Sequence, residues 1–198
     1  AVTPRAGDWQ TWLVGDIGAF TVAPPPEYGS EADLAELQKV ADAVKNRSLQ
    51  DSKDIQYWNA GAGTVAPSGL WQDVMYSNVH PTDDAVYAQQ QQYLAQGIAD
   101  AFIACWRAKY TYWTARPSQR IPGLETAFLN PAFPSYVSGH ATISSTAAEI
   151  LTKQFPALSK TWQNDAARAT RSRLTAGIHF DIDDTAGNAL GIAVGTAV

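Results

Sequence analysis

Lys109 and Arg116 stand seven residues apart, close to two turns of helix, so a continuous helix would place them on one face about 10 Å apart along its axis. That face is the apolar one. Leu94, Ile98, Ala101, Phe102 and Cys105 trace a stripe whose next positions are Lys109, Tyr112/Trp113 and Arg116. Two cations at buried positions repel each other and lose hydration, so an anion is expected between them. The pattern recurs in two further segments: His140 falls on the stripe of Ile143, Ala147 and Ile150, and Arg173 extends that of Trp162, Ala166 and Ala169. Ser138-Gly139-His140 sits where a loop enters a helix, where free backbone N–H groups and the positive end of the dipole point outward. Gly139 lets the backbone approach a ligand, and Ser138 can cap the helix or donate its hydroxyl to the anion. Arg116 and Arg173 offer planar forks suited to tetrahedral or trigonal oxygens, while Lys109 adds a point charge. Asp183 lies four residues beyond His179. If the chain is helical there, its carboxylate holds one imidazole nitrogen and leaves the other aimed at the ligand. Taken singly, the Lys-x6-Arg pair reads as snorkelling surface cations and Ser-Gly-His as a helix cap. Two of only three histidines falling within the same pieces gives the combination its weight.

The elements that must position these groups are helical. Ser30, with Asp33 three residues on, opens a helix over 31–46. A shorter helix covers 51–60 and stops at Gly61-Ala62-Gly63, and Pro67-Ser68 introduces another carrying Trp71 and Val74. The long helix is expected from near Thr82 to about Arg116, followed by a proline-rich loop with Pro117, Pro122, Pro131 and Pro134. Further helices are expected at about 138–155, 159–176 and 183–198. No period-2 alternation and no internal repeat occurs, so the reading is an all-α bundle. Residues 1–29 form an irregular, aromatic and Pro-rich arm, and 30–198 a helical catalytic domain.

Composition narrows the partners. At 198 residues one domain can bury roughly 70% of its unfolded surface, and 21 aromatic residues exclude disorder as the main state. Fourteen basic against nineteen acidic residues, with no Lys/Arg run, argue against nucleic acid. The one cysteine, Cys105, excludes an internal disulfide and a multi-Cys metal site. No apolar run reaches 18 residues, so no membrane span is expected, and a soluble protein, secreted or periplasmic locations included, fits.

The sequence resembles the superfamily that unites type-2 phosphatidic acid phosphatases, bacterial acid phosphatases and vanadium-dependent haloperoxidases. Its pattern K-x6-R-P, P-S-G-H, S-R-x5-H-x3-D is met by KYTYWTARP (109–117), VSGH (137–140) and SRLTAGIHFDID (172–183). Supporting stretches at 57–71, 131–142 and 177–195 bring the resemblance closest to the soluble haloperoxidase branch. It implies the helical bundle of that superfamily, with Lys109, Arg116, Arg173, Ser138 and the Gly139 amide holding the equatorial oxygens of vanadate or phosphate. It makes His179 the axial ligand of vanadium or the nucleophile that becomes phosphohistidine, and His140 the general acid/base at the opposite apical oxygen. Trp106 and Phe133 would help form the halide region, although both also read as ordinary core packing. Val137 replaces the usual proline, and the chain is shorter than haloperoxidases of this branch, so their upstream helices are expected to be missing from it.

Two chemistries share such a cradle: peroxide-dependent halide oxidation on vanadate, and hydrolysis of a small phosphate ester through phosphohistidine. A third reading, a helical module that binds an anion without turnover, stays open. The resemblance favours the haloperoxidase. The aromatic arm, with Trp9, Trp12, Leu13, Ile17 and Phe20, leads to the expectation of a homo-oligomer or of association with an upstream fragment.

Overall fold

A computed structural model describes residues 2–61 and 63–198; Ala1 and Ala62, the middle of the expected Gly-Ala-Gly stop, lie outside the described residues. Among them are eight α-helices and no strand: α1 Glu31–Lys45, α2 Leu49–Tyr57, α3 Ala66–Asn78, α4 Asp84–Tyr112, α5 Pro117–Arg120, α6 Gly139–Gln154, α7 Ser159–Thr175 and α8 Asp181–Ala197. The all-α expectation holds.

Local chemistry explains the starts. Ser30 accepts from the Asp33 amide, Ser48 and Asp51 close a reciprocal capping box, and Asp83 accepts from Ala85 and Val86. α6 is the axis of the bundle, packed by α8, α7, α4 and α3. It is buried almost all round, which explains why its sequence shows small and hydroxylated residues between the apolar ones. Those hydroxyls are satisfied inside: Trp71 Nε1 donates to Ser144 Oγ at 2.9 Å, and Thr146 Oγ1 to the Gly191 carbonyl at 2.8 Å. Gly191 lets α8 lie directly on α6, since a Cβ there would collide with the Thr142 carbonyl oxygen. Beneath α6, Trp58, Trp71 and Trp162 join Leu94, Ile98, Ile150 and Leu151 in the main core cluster. Deleting one such buried indole costs about 3–5 kcal/mol.

Residues 2–29 hold two single 3₁₀ turns, Ala6–Asp8 and Ile17–Ala19, laid along α4. Asp100, fully buried in α4, accepts from the backbone amides of Trp12, Leu13 and Val14 at 2.7, 2.8 and 3.0 Å. Tyr110 and Trp106 both donate to the Val2 carbonyl, Tyr112 to that of Val22 and Tyr136 to that of Ala23. Side chains of the bundle therefore supply the hydrogen bonds that this irregular backbone cannot make with itself.

Candidate active site

The last turn of α4 delivers Lys109. Its ammonium is fully buried and donates to the carbonyls of Pro134 and Ser135 at 2.9 and 2.8 Å. Arg116 arrives differently from the expectation. The helix stops at Tyr112, Trp113 turns left-handed (φ 52°, ψ 49°) and is largely exposed, and Tyr112 is half-buried with its hydroxyl on the arm. Arg116 is extended (φ −80°, ψ 157°), as Pro117 requires of the residue before it. Lys109 and Arg116 thus do not share a helix face. The chain doubles back after Trp113 and brings the guanidinium to Lys109 from outside the helix.

Arg116 is 3% exposed and all three of its nitrogens are engaged. Nε and Nη2 donate to the Phe133 carbonyl at 3.2 and 3.1 Å, and Nη2 also reaches that of Pro134. Nη1 donates to the Ile178 carbonyl at 2.7 Å and contacts His179 Nε2 at 3.0 Å. His179 lies in the turn between α7 and α8, not in a helix, and Asp183 in the first turn of α8 reaches back to it. His179 Nδ1 is 2.9 Å from Asp183 Oδ2. The same oxygen accepts from the Ser135 hydroxyl and from the Phe180 amide at 3.1 Å. A proton on Nδ1 facing the carboxylate leaves the lone pair on Nε2, where Arg116 donates. Burial, then the charges of Arg116, Lys109, His140 and Arg173, hold His179 well below the ordinary histidine range. Arg116 touches the ring directly, and the charges borne on α4, α6 and α7 act on it from farther off.

Ser138 caps α6, accepting from the Ala141 amide at 3.4 Å, and its own amide donates to the Asp183 carbonyl at 2.9 Å. Gly139 follows, with room beside Trp106 and Cys105 where a Cβ would make only ordinary contact. His140 is half-buried and places Nε2 2.8 Å from the Trp58 carbonyl. Nε2 therefore carries the hydrogen and Nδ1 is the free acceptor. Burial and Arg173 push its pKa well down, so the ring is neutral. Arg173 is 1% exposed; Nε donates to Ser172 Oγ, while Nη2 has no hydrogen-bond partner among the described residues.

Burial pulls Lys109 down to about 8 and Arg116 and Arg173 to about 10, leaving all three charged near neutral pH. Phe133 packs its ring 4.9 Å from that of Trp106, with Lys109 Nζ 5.2 Å and the Arg116 guanidinium 5.1 Å from its centre. Beside it opens a cleft of about 310 Å³ lined by Trp113, Arg116, Gln119, Asn130 and Phe133.

No protein-family profile matches the sequence, and no curated protein is significantly similar to it. Solved structures are similar in shape. A bacterial vanadium-dependent iodoperoxidase matches 100% of this chain with a TM-score of 0.86 at 23% identity. An apo-type bacterial vanadium-dependent chloroperoxidase matches 99% with a TM-score of 0.82 at 14% identity. A transmembrane PAP2-type phosphatidylglycerolphosphate phosphatase from Bacillus subtilis matches 85% with a TM-score of 0.59 at 16% identity. This is the vanadium haloperoxidase and PAP2 phosphatase fold. The chain spans 56% and 55% of the two haloperoxidases and 85% of the phosphatase.

In this haloperoxidase-type fold the residues present fit a tetrahedral oxyanion such as vanadate or phosphate. Three buried cations surround a neutral imidazole, and the orphaned Nη2 of Arg173 is a charged donor without an acceptor. Among the described residues no cluster of His, Cys, Asp and Glu could hold a bare metal cation. No described helix is long and apolar enough to cross a membrane.

Sequence reasoning missed three contributors. The carbonyls of 133–135 hold the two cations, and no residue type signals a carbonyl's role. Ser135 fixes Asp183, and its only trace was a hydroxyl residue two positions past Phe133. Asp184 is buried beside Asp183, and the acidic doublet opening a helix whose first turn faces inward was its available signal.

Proposed function

We propose that this chain carries the site of a vanadate-dependent haloperoxidase that oxidises halide with hydrogen peroxide. The observation that carries the anion chemistry is the burial of Lys109, Arg116 and Arg173, with Arg116 on His179 Nε2 and Arg173 Nη2 lacking an acceptor. The haloperoxidase reading draws its support from similarity over the whole chain and from the Trp106–Phe133 wall beside Lys109.

When bound, vanadate supplies the activation of peroxide for a two-electron oxidation of halide. Lys109, Arg116, Arg173, the Ser138 hydroxyl and the Gly139 amide would hold its oxygens and offset their charge. Asp183 keeps the proton of His179 on Nδ1, so that Nε2 presents its lone pair to the anion. Arg116 Nη1, which lies on His179 Nε2 and the Ile178 carbonyl, would be the donor available to an oxygen of the anion. His140, with its Nε2 hydrogen held by Trp58, uses Nδ1 to take a proton from an incoming hydroperoxide and to return it. Trp106 and Phe133 form a wall that sheds water from the halide.

A second reading is an acid phosphatase in which His179 Nε2 attacks phosphorus and His140 protonates the leaving alcohol. It is supported by the likeness in fold to the PAP2-type phosphatase, at a TM-score of 0.59. One experiment separates the two: halide oxidation by peroxide with and without added orthovanadate, and hydrolysis of a small phosphate ester, on one sample. Vanadate-dependent halide oxidation is expected; ester hydrolysis with no halide oxidation would replace the first reading by the second.

The indoles of Trp9 and Trp12 are 53% and 67% exposed along the arm. We propose that a second copy or a further fragment covers them. Sedimentation of an active species at 21.3 kDa would refute this.

A further inference from the structure

Asp184 lies in the first turn of α8, 4% exposed, and neither carboxyl oxygen has a hydrogen-bond partner among the described residues. The groups facing it are the Ser138 hydroxyl from the cap of α6, Arg173 from α7, and Asp183 and Asp181 of its own helix. Arg173 forms no ion pair with it among the described residues, since both Asp184 oxygens and Arg173 Nη2 are without a partner. The contact with the cap is close. The Ser138 amide donates to the Asp183 carbonyl, and a Cβ on Gly187 would come within 2.7 Å of the Ser138 carbonyl oxygen.

An ionised carboxylate buried beside a second carboxylate, with no donor in hydrogen-bond geometry, is strongly disfavoured, so Asp184 is neutral. Burial is the main cause that raises its carboxyl well above the usual range; the Ser138 hydroxyl and the charge of Arg173 oppose it without offsetting it, and the charge of Asp183 adds to it. A serine hydroxyl has one hydrogen to give. An ionised neighbour would claim that hydrogen, whereas a neutral acid would donate to Oγ and leave it available.

We propose that Asp184 is a positioning residue of the oxyanion cradle, whose neutral carboxyl donates to Ser138 Oγ and so turns the Ser138 hydroxyl hydrogen toward the bound anion. The assignment rests on the oxyanion reading of the site.

Binding of inorganic phosphate and of orthovanadate, measured by calorimetry across pH for wild type, D184A, D184N and S138A, tests it. At pH 6, D184A should weaken binding about 10- to 100-fold, the worth of one hydrogen bond to a charged group. S138A should match it, and the double variant should be no worse than S138A alone. D184N should recover most of the loss, because its amide still donates to Oγ. At higher pH wild type should lose affinity as Asp184 ionises, over and above the loss it shares with D184N. The ionisation of the anion and of Lys109 is common to both proteins and cancels in the comparison. Unchanged binding in D184A, additive single effects, or identical pH profiles for wild type and D184N would overturn the assignment. If D184A fails to fold, the D184N profile decides alone. Failure of wild type to bind either anion at any pH would bring down the oxyanion reading itself, and this role with it.

Discussion

Asp100 and Asp184 are both carboxyls buried in long helices, and their surroundings are opposite. Asp100 meets three backbone amides of the arm and is saturated; Asp184 has a cation, a hydroxyl and a second carboxylate near it, and neither of its oxygens is in hydrogen-bond geometry with a partner. The first region uses a charge to order an irregular segment, and every donor brought near it has an acceptor. The second gathers charges around a space and leaves their hydrogen-bonding capacity unspent. A buried polar group that is fully satisfied belongs to the architecture. One left unsatisfied in the same molecule marks where something else binds.

Substitutions in the two regions should therefore separate function from stability. The largest effect is expected in the cradle. His179→Ala should abolish loading of vanadate or phosphate, and His140→Ala should leave anion binding largely intact while cutting turnover about 10²- to 10⁴-fold. Equal effects of the two on vanadate affinity would dissolve the distinction between ligand and acid/base.

In the arm the signs reverse. Asp100→Ala strands three amides and should cost about 3 kcal/mol, read as a lower urea midpoint at unchanged slope. A loss below about 1 kcal/mol would mean that the arm is held by the Val2, Val22 and Ala23 carbonyls instead.

The smallest effect sharpens the comparison within one residue. Lys109 attracts the anion only as ammonium, so affinity should fall as pH rises through about 8. Stability should move the other way. The native pKa lies below the unfolded value of about 10.4, so the unfolded chain binds the proton more tightly and native stability rises between about 8 and 10. Lys109→Arg should abolish both trends; pH titrations of phosphate affinity and of the urea midpoint check them.

Much of this was legible along the chain. Helix starts followed from Ser30 and Ser138 because a cap is a contact over three residues, the long helix expected from near Thr82 is capped one residue later by Asp83, and Arg173 and His140 were conspicuous as a cation and a titratable ring on apolar stripes. Arg116 reached the right place by the wrong route. The stripe that led to Lys109 was real, but a left-handed Trp113 and the constraint of Pro117 ended the helix before Arg116. The single stripe expected for α6 was also too narrow, because a helix enclosed by four neighbours has no outside.

Residue types and their spacing determined that this chain is helical, that it buries three cations and two histidines, and that an oxyanion suits them. Those are consequences of local backbone preference and of the cost of burying charge, both of which act on the residue itself. Only the tertiary structure decided which nitrogen of each histidine is free, that carbonyls of 133–135 hold the cations, and that Asp100 is saturated while Asp184 is not. Hydrogen bonds between residues 80 or more positions apart depend on where the chain returns, and side-chain chemistry carries no record of that path.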